Sequence, residues 1–171
     1  MDNPNNNNNN RTFIWIGVGC VGLLVCIVAL VVFGISGLAW LGAQEPENAT
    51  INVDIPINAK VDETFEIRIT ITNTGTEAIT LDSLDMTLGY LDGFIINQSD
   101  PSYTDTYEYD IPLTQEKARA FTYQKTIMPG ETLTVILSGI AVKAGDFSGD
   151  VNICTNSFYE CKSAIARTIV K

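Results

Sequence analysis

The longest uncharged stretch of the chain lies near its start and restricts the kinds of structure that this part of the chain can form. The 29 residues from Phe13 to Leu41 carry no charge, and Ser36 is their only hydroxyl side chain. A helix needs roughly 20 apolar residues to cross a bilayer, whereas the apolar core of a cleaved signal peptide has roughly 7–15. The stretch therefore predicts a retained transmembrane signal-anchor helix over residues 12–43.

The two tryptophans of the chain support this interpretation. Trp15 and Trp40 lie near the two ends of the uncharged stretch. In a helix that rises about 1.5 Å per residue they are roughly 37 Å apart, which matches the distance between the two aromatic belts of a membrane. A cleaved signal peptide is the alternative, and it would use the weak small-x-small sites at Gly37–Ala39 or Leu41–Ala43.

Charges that flank the stretch predict its orientation. Arg11 is the only basic residue before it, and Glu45 and Glu47 follow it. The positive-inside rule then places the N-terminus in the cytoplasm and the C-terminal part outside, in a single-pass protein of the plasma membrane. The predicted segments are a disordered Asn-rich tail (1–11), the anchor helix (12–43), a linker (44–49) and an extracytoplasmic domain (50–171).

Alternation of apolar and polar side chains dominates the domain and is typical of half-buried β-strands. The clearest apolar set is Phe65, Ile67, Ile69 and Ile71, and a second set is Leu133, Val135 and Leu137. A third set changes parity between Ile79/Leu81 and Leu84/Met86/Leu88, which predicts a bulge or a strand break.

Turn and strand signals recur along the rest of the domain. Turns are predicted at 73–76 and 128–131, where Asn, Pro and Gly cluster. Further strands are predicted at Ile51–Ile55, Arg119–Ile127, Asp150–Cys154 and Ala164–Val170, and a mildly helical stretch at Thr114–Ala120. About seven short strands separated by Gly and Pro turns predict an all-β sandwich of immunoglobulin-like type.

Two runs of the domain carry a family resemblance. They read FEIRITITNTGTEAITL and, some 50 residues later, MPGETLTVILSGIAVKAGDFSGDV. This pattern resembles the extracellular Ig-like repeats of bacterial and archaeal envelope proteins, including the cell-adhesion-related and conserved-repeat domains. The resemblance implies a spacer, adhesin or assembly module without catalytic residues. It also implies that Phe147 replaces the usual corner tyrosine, so that the corner hydroxyl bond is absent.

The domain contains two cysteines, Cys154 and Cys161, on either side of a turn-like Thr-Asn-Ser. An isolated pair of this kind is typical of a disulfide-closed hairpin in an oxidising compartment. Free thiols remain an alternative, and a metal site would need two more ligands. A disulfide is the favoured interpretation, and it agrees with a location outside the cell.

The most unusual stretch of the domain is NQSDPSYTDTYEYDIP, residues 97–112, whose composition suits an exposed loop. Tyrosine offers a large contact area at low entropy cost, so this stretch is a candidate recognition loop. Its candidate residues are Tyr103, Asp105, Tyr107, Tyr109 and Asp110. An ordinary connection and a Ca²⁺ loop are alternatives, although the ligand spacing of a calcium loop is absent.

Composition argues against catalysis and against nucleic acid. The chain has no His, which excludes His-based triads and His–metal sites, and its net charge of −10 disfavours binding to phosphates. Carboxylates such as Asp82 and Asp85 are expected to keep the surface soluble. No catalytic residue, metal, cofactor or small-molecule substrate is predicted. Asn48 and Asn97 begin N-glycosylation triplets.

These observations favour a non-enzymatic single-pass membrane protein that presents an Ig-like domain outside the cell, with the lipid bilayer and a protein as its partners. It would serve a structural or interaction role, for instance as an accessory subunit of a membrane complex. The alternative is a filament subunit, because archaeal pilins and archaellins also join an apolar helix to a β-sandwich. Thr12 departs from that pattern, since Gly or Ala is usual at the processing site.

Overall fold

The structure is a computed structural model that describes residues 46–112, 114–156 and 160–171. The predicted tail and anchor, with Arg11, Trp15 and Trp40, lie outside these residues. Within the part that is described, no helix is long and apolar enough to cross a membrane.

Ten strands and one short helix make up the described part of the chain. They are β1 (Ala49–Asp54), β2 (Asn58–Ala59), β3 (Thr64–Asn73), β4 (Ile79–Thr87), α1 (Leu88–Leu91), β5 (Phe94–Asp100), β6 (Asp105–Asp110), β7 (Lys117–Ile127), β8 (Thr132–Ala141), β9 (Gly145–Thr155) and β10 (Cys161–Val170). The strands form a four-stranded sheet in the order β1-β3-β8-β5 and a six-stranded sheet in the order β2-β10-β9-β4-β7-β6. Among the strands of the described residues, only β2 and β10 pair in parallel.

Apolar side chains from both sheets fill one core, so the predicted all-β sandwich is confirmed. In β3 the alternating set from Phe65 to Ile71 is buried, with Ile67, Ile69 and Ile71 fully so. Val135 and Leu137 of β8 are also fully buried, while Leu133 is half-buried at the edge of the core. Burial of each such side chain stabilises the fold by roughly 1.5–3 kcal/mol.

The predicted change of parity in β4 is a β-bulge. The register of β4 shifts between Leu81 and Ser83 against both of its neighbours, β7 and β9. After the shift, Leu84 and Met86 fill the core, and Ser83, Asp85 and Thr87 lie on the outer face of the six-stranded sheet. Leu88 belongs to α1 rather than to the strand, which corrects its predicted place.

Both predicted turns are present. The Asn73 side chain accepts a hydrogen bond from the N–H of Gly75, 2.9 Å away, and so closes the first turn. In the second turn, the N–H of Glu131 donates to the carbonyl of Met128 over 2.9 Å. Gly130 has φ of 78° there, in the left-handed region that glycine adopts without strain.

Two local predictions are wrong. Thr114–Ala120 is not helical, because β7 begins at Lys117. Its alanines favour a helix, but intrinsic propensity is small compared with tertiary context, and the hydrogen bonds offered by β4 and β6 on either side outweigh it. Residues 97–112 are not one loop either, because Asp105–Asp110 form β6 at the edge of the six-stranded sheet. Threonine and tyrosine favour strands, and β7 offers β6 a partner.

The predicted hairpin disulfide is confirmed. Cys154 and Cys161 are bonded, with 2.07 Å between their sulfurs, and they lie opposite each other in β9 and β10. The N–H of Thr155 donates to the carbonyl of Glu160 over 2.9 Å, so the cysteines occupy the adjacent non-hydrogen-bonded pair. Antiparallel strands approach most closely at such a pair, which places both sulfurs within bonding reach.

Candidate functional site

The candidate site lies on the outer face of the six-stranded sheet, where a row of paired residues crosses five strands. Residues directly opposite each other in antiparallel strands lie on the same face. Because Leu84, Phe121 and Ile153 fill the core, the neighbouring row belongs to the outer face. This row consists of Tyr107, Ala120, Asp85, Asn152 and Ser163.

Tyr109 links the edge of the sheet to its middle. It lies opposite Ala118 in β7, and its hydroxyl donates a hydrogen bond of 2.7 Å to Oδ2 of Asp85 in β4. The side chain must therefore pass over β7 to reach its partner. Ala118 and Ala120 carry only methyl groups on that face, which leaves room for the ring. Ala118 and Ala120, which belong to the stretch predicted to be helical, therefore lie beneath the ring of Tyr109.

Asp85 is the most deeply buried carboxylate of the described residues, with 7% of its surface exposed. Its Oδ1 atom is buried and has no hydrogen-bond partner within the described part of the chain. Burial raises the pKa of Asp85 above its ordinary value of 3.8, and the hydroxyls of Tyr109 and Ser83 oppose this effect only in part. The charge of nearby Asp82 raises the pKa further.

The pKa of Tyr109 is also raised, first by burial and then by its hydrogen bond to Asp85. Its hydroxyl therefore stays protonated at physiological pH and acts as the donor in the pair. Oδ2 of Asp85 receives that donor, and Oδ1 has no hydrogen-bond partner among the residues that the structure describes. The sequence interpretation of Asp85 as a surface charge is wrong, whereas Asp82 is half-exposed and bonded to the Gln124 amide.

Tyr107 lies beside Tyr109 on the outer face of the sheet and is exposed to solvent. Its side chain is 54% exposed, and its ring lies 6.2 Å from that of Tyr109 at an angle of 47°. Asp105, two residues before Tyr107 in β6, lies on the same face and is also exposed. Its Oδ1 accepts a hydrogen bond of 2.8 Å from the N–H of Thr106. We call Asp85, Asp105, Tyr107 and Tyr109 the tyrosine surface.

The structure separates the other two candidates from this surface. Tyr103 precedes β6, is half-buried, and packs edge-on against Phe121 with 5.4 Å between ring centroids. It therefore supports the core. Asp110 has the opposite parity in β6, and its carboxylate lies 3.5 Å from Nζ of Lys117. The five candidate residues are close in sequence, but Tyr103 lies outside β6, and Asp110 lies on the opposite face of β6 from Tyr107 and Tyr109.

Next to the tyrosine surface the outer face is polar and small. Ser83 lies opposite Cys154 of the disulfide, and the hydroxyl of Ser163 donates to Oδ1 of Asn152 over 2.5 Å. None of these side chains stands far above the sheet. The tyrosines of β6 therefore lie at one side of a surface that consists of small polar side chains.

Both asparagines of the predicted glycosylation triplets are exposed. Asn48 precedes β1, and Asn97 lies in β5. Their modification stays a prediction.

No family model matches this chain, and no curated protein matches it in sequence. Solved structures do resemble it. AvmM, which catalyses macrocyclization in alchivemycin A biosynthesis, is 11% identical, and the match covers 73% of this chain and 89% of AvmM with a TM-score of 0.50. At this identity the likeness shows a shared fold and nothing about activity.

Two further structures match at lower TM-scores. Alpha-2-macroglobulin of E. coli is 11% identical, with 74% of this chain covered, 7% of the macroglobulin covered and a TM-score of 0.43. PapD-like domain 7 of human CEP192 is 11% identical, with 72% of this chain and 85% of that domain covered and a TM-score of 0.42. This chain therefore spans only a small part of the macroglobulin.

Proposed function

We propose that this protein is a non-enzymatic, single-pass membrane protein that presents an immunoglobulin-like sandwich outside the cell. Its role is structural or one of protein interaction, as an accessory subunit of a membrane complex. The observation that carries this proposal is a two-layer apolar core, built from side chains between Ile51 and Val170, in a chain that also has one uninterrupted run of 29 uncharged residues. Such a core leaves the uncharged stretch available for lipid.

The disulfide supports the location. Bonds of this kind persist in oxidising compartments and are rare in the cytosol. Cys154 is 1% exposed within the sheet, so the bond is part of the fold rather than an exposed redox pair. Arg11 before the stretch and the acidic residues after it support the same orientation.

The tyrosine surface supports the interaction role. Tyrosine is enriched at binding surfaces because its ring is large, rigid and amphipathic. Tyr107 is exposed and lies beside the ring of Tyr109, whose position the hydrogen bond to Asp85 fixes. A partner with apolar and basic groups would fit this pair and the nearby carboxylate of Asp105.

Membrane fractionation tests the anchor. The full chain should stay in the membrane pellet after alkaline extraction, and a fragment that starts at Gln44 should be soluble with a β-type circular dichroism spectrum and a cooperative melt. A full chain that is soluble without detergent would contradict the proposal. Loss of residues 1–12 from the purified mature protein, measured as intact mass, would instead favour a filament subunit.

Cross-linking in intact cells tests the interaction surface. A photo-reactive phenylalanine analogue at position 107 should capture a protein partner, and a separate Tyr107→Ala variant of the full chain should co-purify with that partner at least tenfold less than the wild type. The matched control is position 125, because Lys125 is exposed on β7 away from the tyrosine surface. Equal capture from positions 107 and 125 would contradict a specific surface.

A further inference from the structure

The opposite edge of the six-stranded sheet is open over most of its length. β10 pairs with β9 along its whole length, from Cys161 to Val170. On its other side, within the described residues, β2 covers only Ile169 and Val170. Residues 162–168 therefore form an edge with no neighbouring strand in the described part of the chain.

The alternation of hydrogen bonds identifies the backbone groups that face outward. The N–H of Ile169 donates to Ile57 over 2.9 Å, and that of Lys171 donates to Ala59 over 3.0 Å, both on the side away from β9. Successive residues of a strand alternate in this direction. Ser163, Ile165 and Arg167 therefore point their N–H and C=O groups out of the sheet edge.

Within the described residues this edge contains no bulge and no proline, two of the features that usually prevent strand addition, and its inward-facing charge, Lys162 opposite Ile153, lies at the end of the open part. The register of β10 against β9 runs over ten residues without a shift. Ile165, at the middle of the open part, is 83% exposed and is the most exposed large apolar side chain of the described residues. By contrast, β6 carries three carboxylates, and β5 has a bulge between Ile96 and Gln98.

A groove with apolar side chains and Arg167 in its lining accompanies the open edge. It has a volume of about 360 Å³ and lies between β10 and the segment that ends β1. Its apolar lining includes Val53, Ile55, Ile57, Ile165 and Ile169. A strand added at this edge would lie beside the groove and remove part of its lining from water.

We propose that the occupant is β10 of a second copy of this chain, paired antiparallel about a twofold axis through Ile165. In this register Ile165 lies opposite Ile165 of the second copy, and Ser163 lies opposite Arg167 of the second copy. These are the outward-pointing residues, so three pairs exchange two backbone hydrogen bonds each. The two six-stranded sheets become one continuous sheet.

Self-complementarity distinguishes this occupant from others. The twofold register places Lys162 opposite Thr168 and Arg167 opposite Ser163, so no like charges face each other across the strands. Pairing of two β6 edges would bring two sets of three carboxylates together. A closed twofold interface uses the β10 edge of both copies, so the pairing does not propagate through this edge.

Disulfide trapping in the full chain tests the register. With Cys20 and Cys26 replaced by Ala, Ile165→Cys should form an interchain disulfide, because hydrogen-bonded pairs place Cα atoms about 5.5 Å apart, within disulfide range. Ser163→Cys alone should not cross-link, whereas a mixture with Arg167→Cys should. Ser148→Cys, exposed one strand further in, is the matched control and should give at least tenfold less dimer.

Ile165→Lys tests the interface without cross-linking. In dilute samples where both proteins are monomeric the melting temperature should not change, because the side chain is exposed in the single chain. Two lysines would meet at the axis and weaken dimerisation in detergent at least tenfold, measured by sedimentation. Efficient trapping of Ile165→Cys with Tyr107→Cys, a monomeric wild-type chain, or wild-type dimerisation of Ile165→Lys would each overturn the proposal. The last result would assign association to another part of the chain.

Discussion

The two faces of the six-stranded sheet follow different physical rules. On the inner face, Leu84 and Ile153 are buried among apolar side chains from both sheets. On the outer face, Asp85 is almost equally buried, and a tyrosine reaches it from the sheet edge to donate a hydrogen bond. Apolar contacts on the inner face do not depend on pH, whereas the contribution of the Asp85–Tyr109 pair on the outer face does.

The largest effect is expected on the inner face. Leu84→Ala should lower the free energy of unfolding by about 2–5 kcal/mol, because it removes a fully buried side chain and leaves a cavity. Denaturant unfolding of the full chain in detergent measures this loss. A loss no larger than that of an exposed control, Thr126→Ala, would show that this face is not the core.

Tyr109→Phe should have a smaller effect. It keeps the ring over β7 but removes the donor to Asp85, so at neutral pH a buried carboxylate loses its hydrogen bond at a cost of about 1–3 kcal/mol. The cost should shrink in acid, where Asp85 is protonated. A loss that is the same at both pH values would mean that the hydroxyl does not act through the carboxylate.

Asp85→Asn should remove the pH dependence of stability that comes from this carboxylate. Burial raises the pKa of Asp85 in the folded state, so its stabilising contribution is fully present below 3.8 and is lost as pH rises through the folded value. Relative to the Asn variant, the wild type should therefore lose stability from acid to neutral pH. Parallel stability curves for the two proteins, measured by denaturant unfolding, would contradict the raised pKa.

Tyr107→Ala should have the smallest effect on stability. The side chain is more than half exposed, so the free energy of unfolding should change by no more than about 0.5 kcal/mol. Its effect should appear in partner binding instead. A loss of stability as large as that of Tyr109→Phe would make Tyr107 a structural residue and remove it from the tyrosine surface.

The sequence predicts the inner face better than the outer one for a physical reason. Alternation is local, so Phe65–Ile71 indicates β3, and the change of parity after Leu81 indicates the bulge in β4. The outer-face pair is not local, since Tyr109 and Asp85 are 24 residues apart and meet only through the order β4-β7-β6. Nothing near Asp85 in the sequence distinguishes it from a surface carboxylate.

The same reason explains the wrong predictions around β6 and β7. Alanine at 118 and 120 suggests a helix when only its neighbours are considered. In the sheet, these alanines are the small positions that tyrosine from the next strand requires. A tyrosine-rich strand opposite a strand with alternating alanines is the signal that would have identified the pair.

Accessibility of the domain in intact cells tests the central claim most directly. In a full chain with Cys20 and Cys26 replaced by Ala, Lys125→Cys places one thiol on an exposed position of the sandwich. A membrane-impermeant maleimide should label this thiol in intact cells to the same extent as after lysis, because the domain is proposed to lie outside. Labelling that appears only after lysis would place the domain inside and contradict the account.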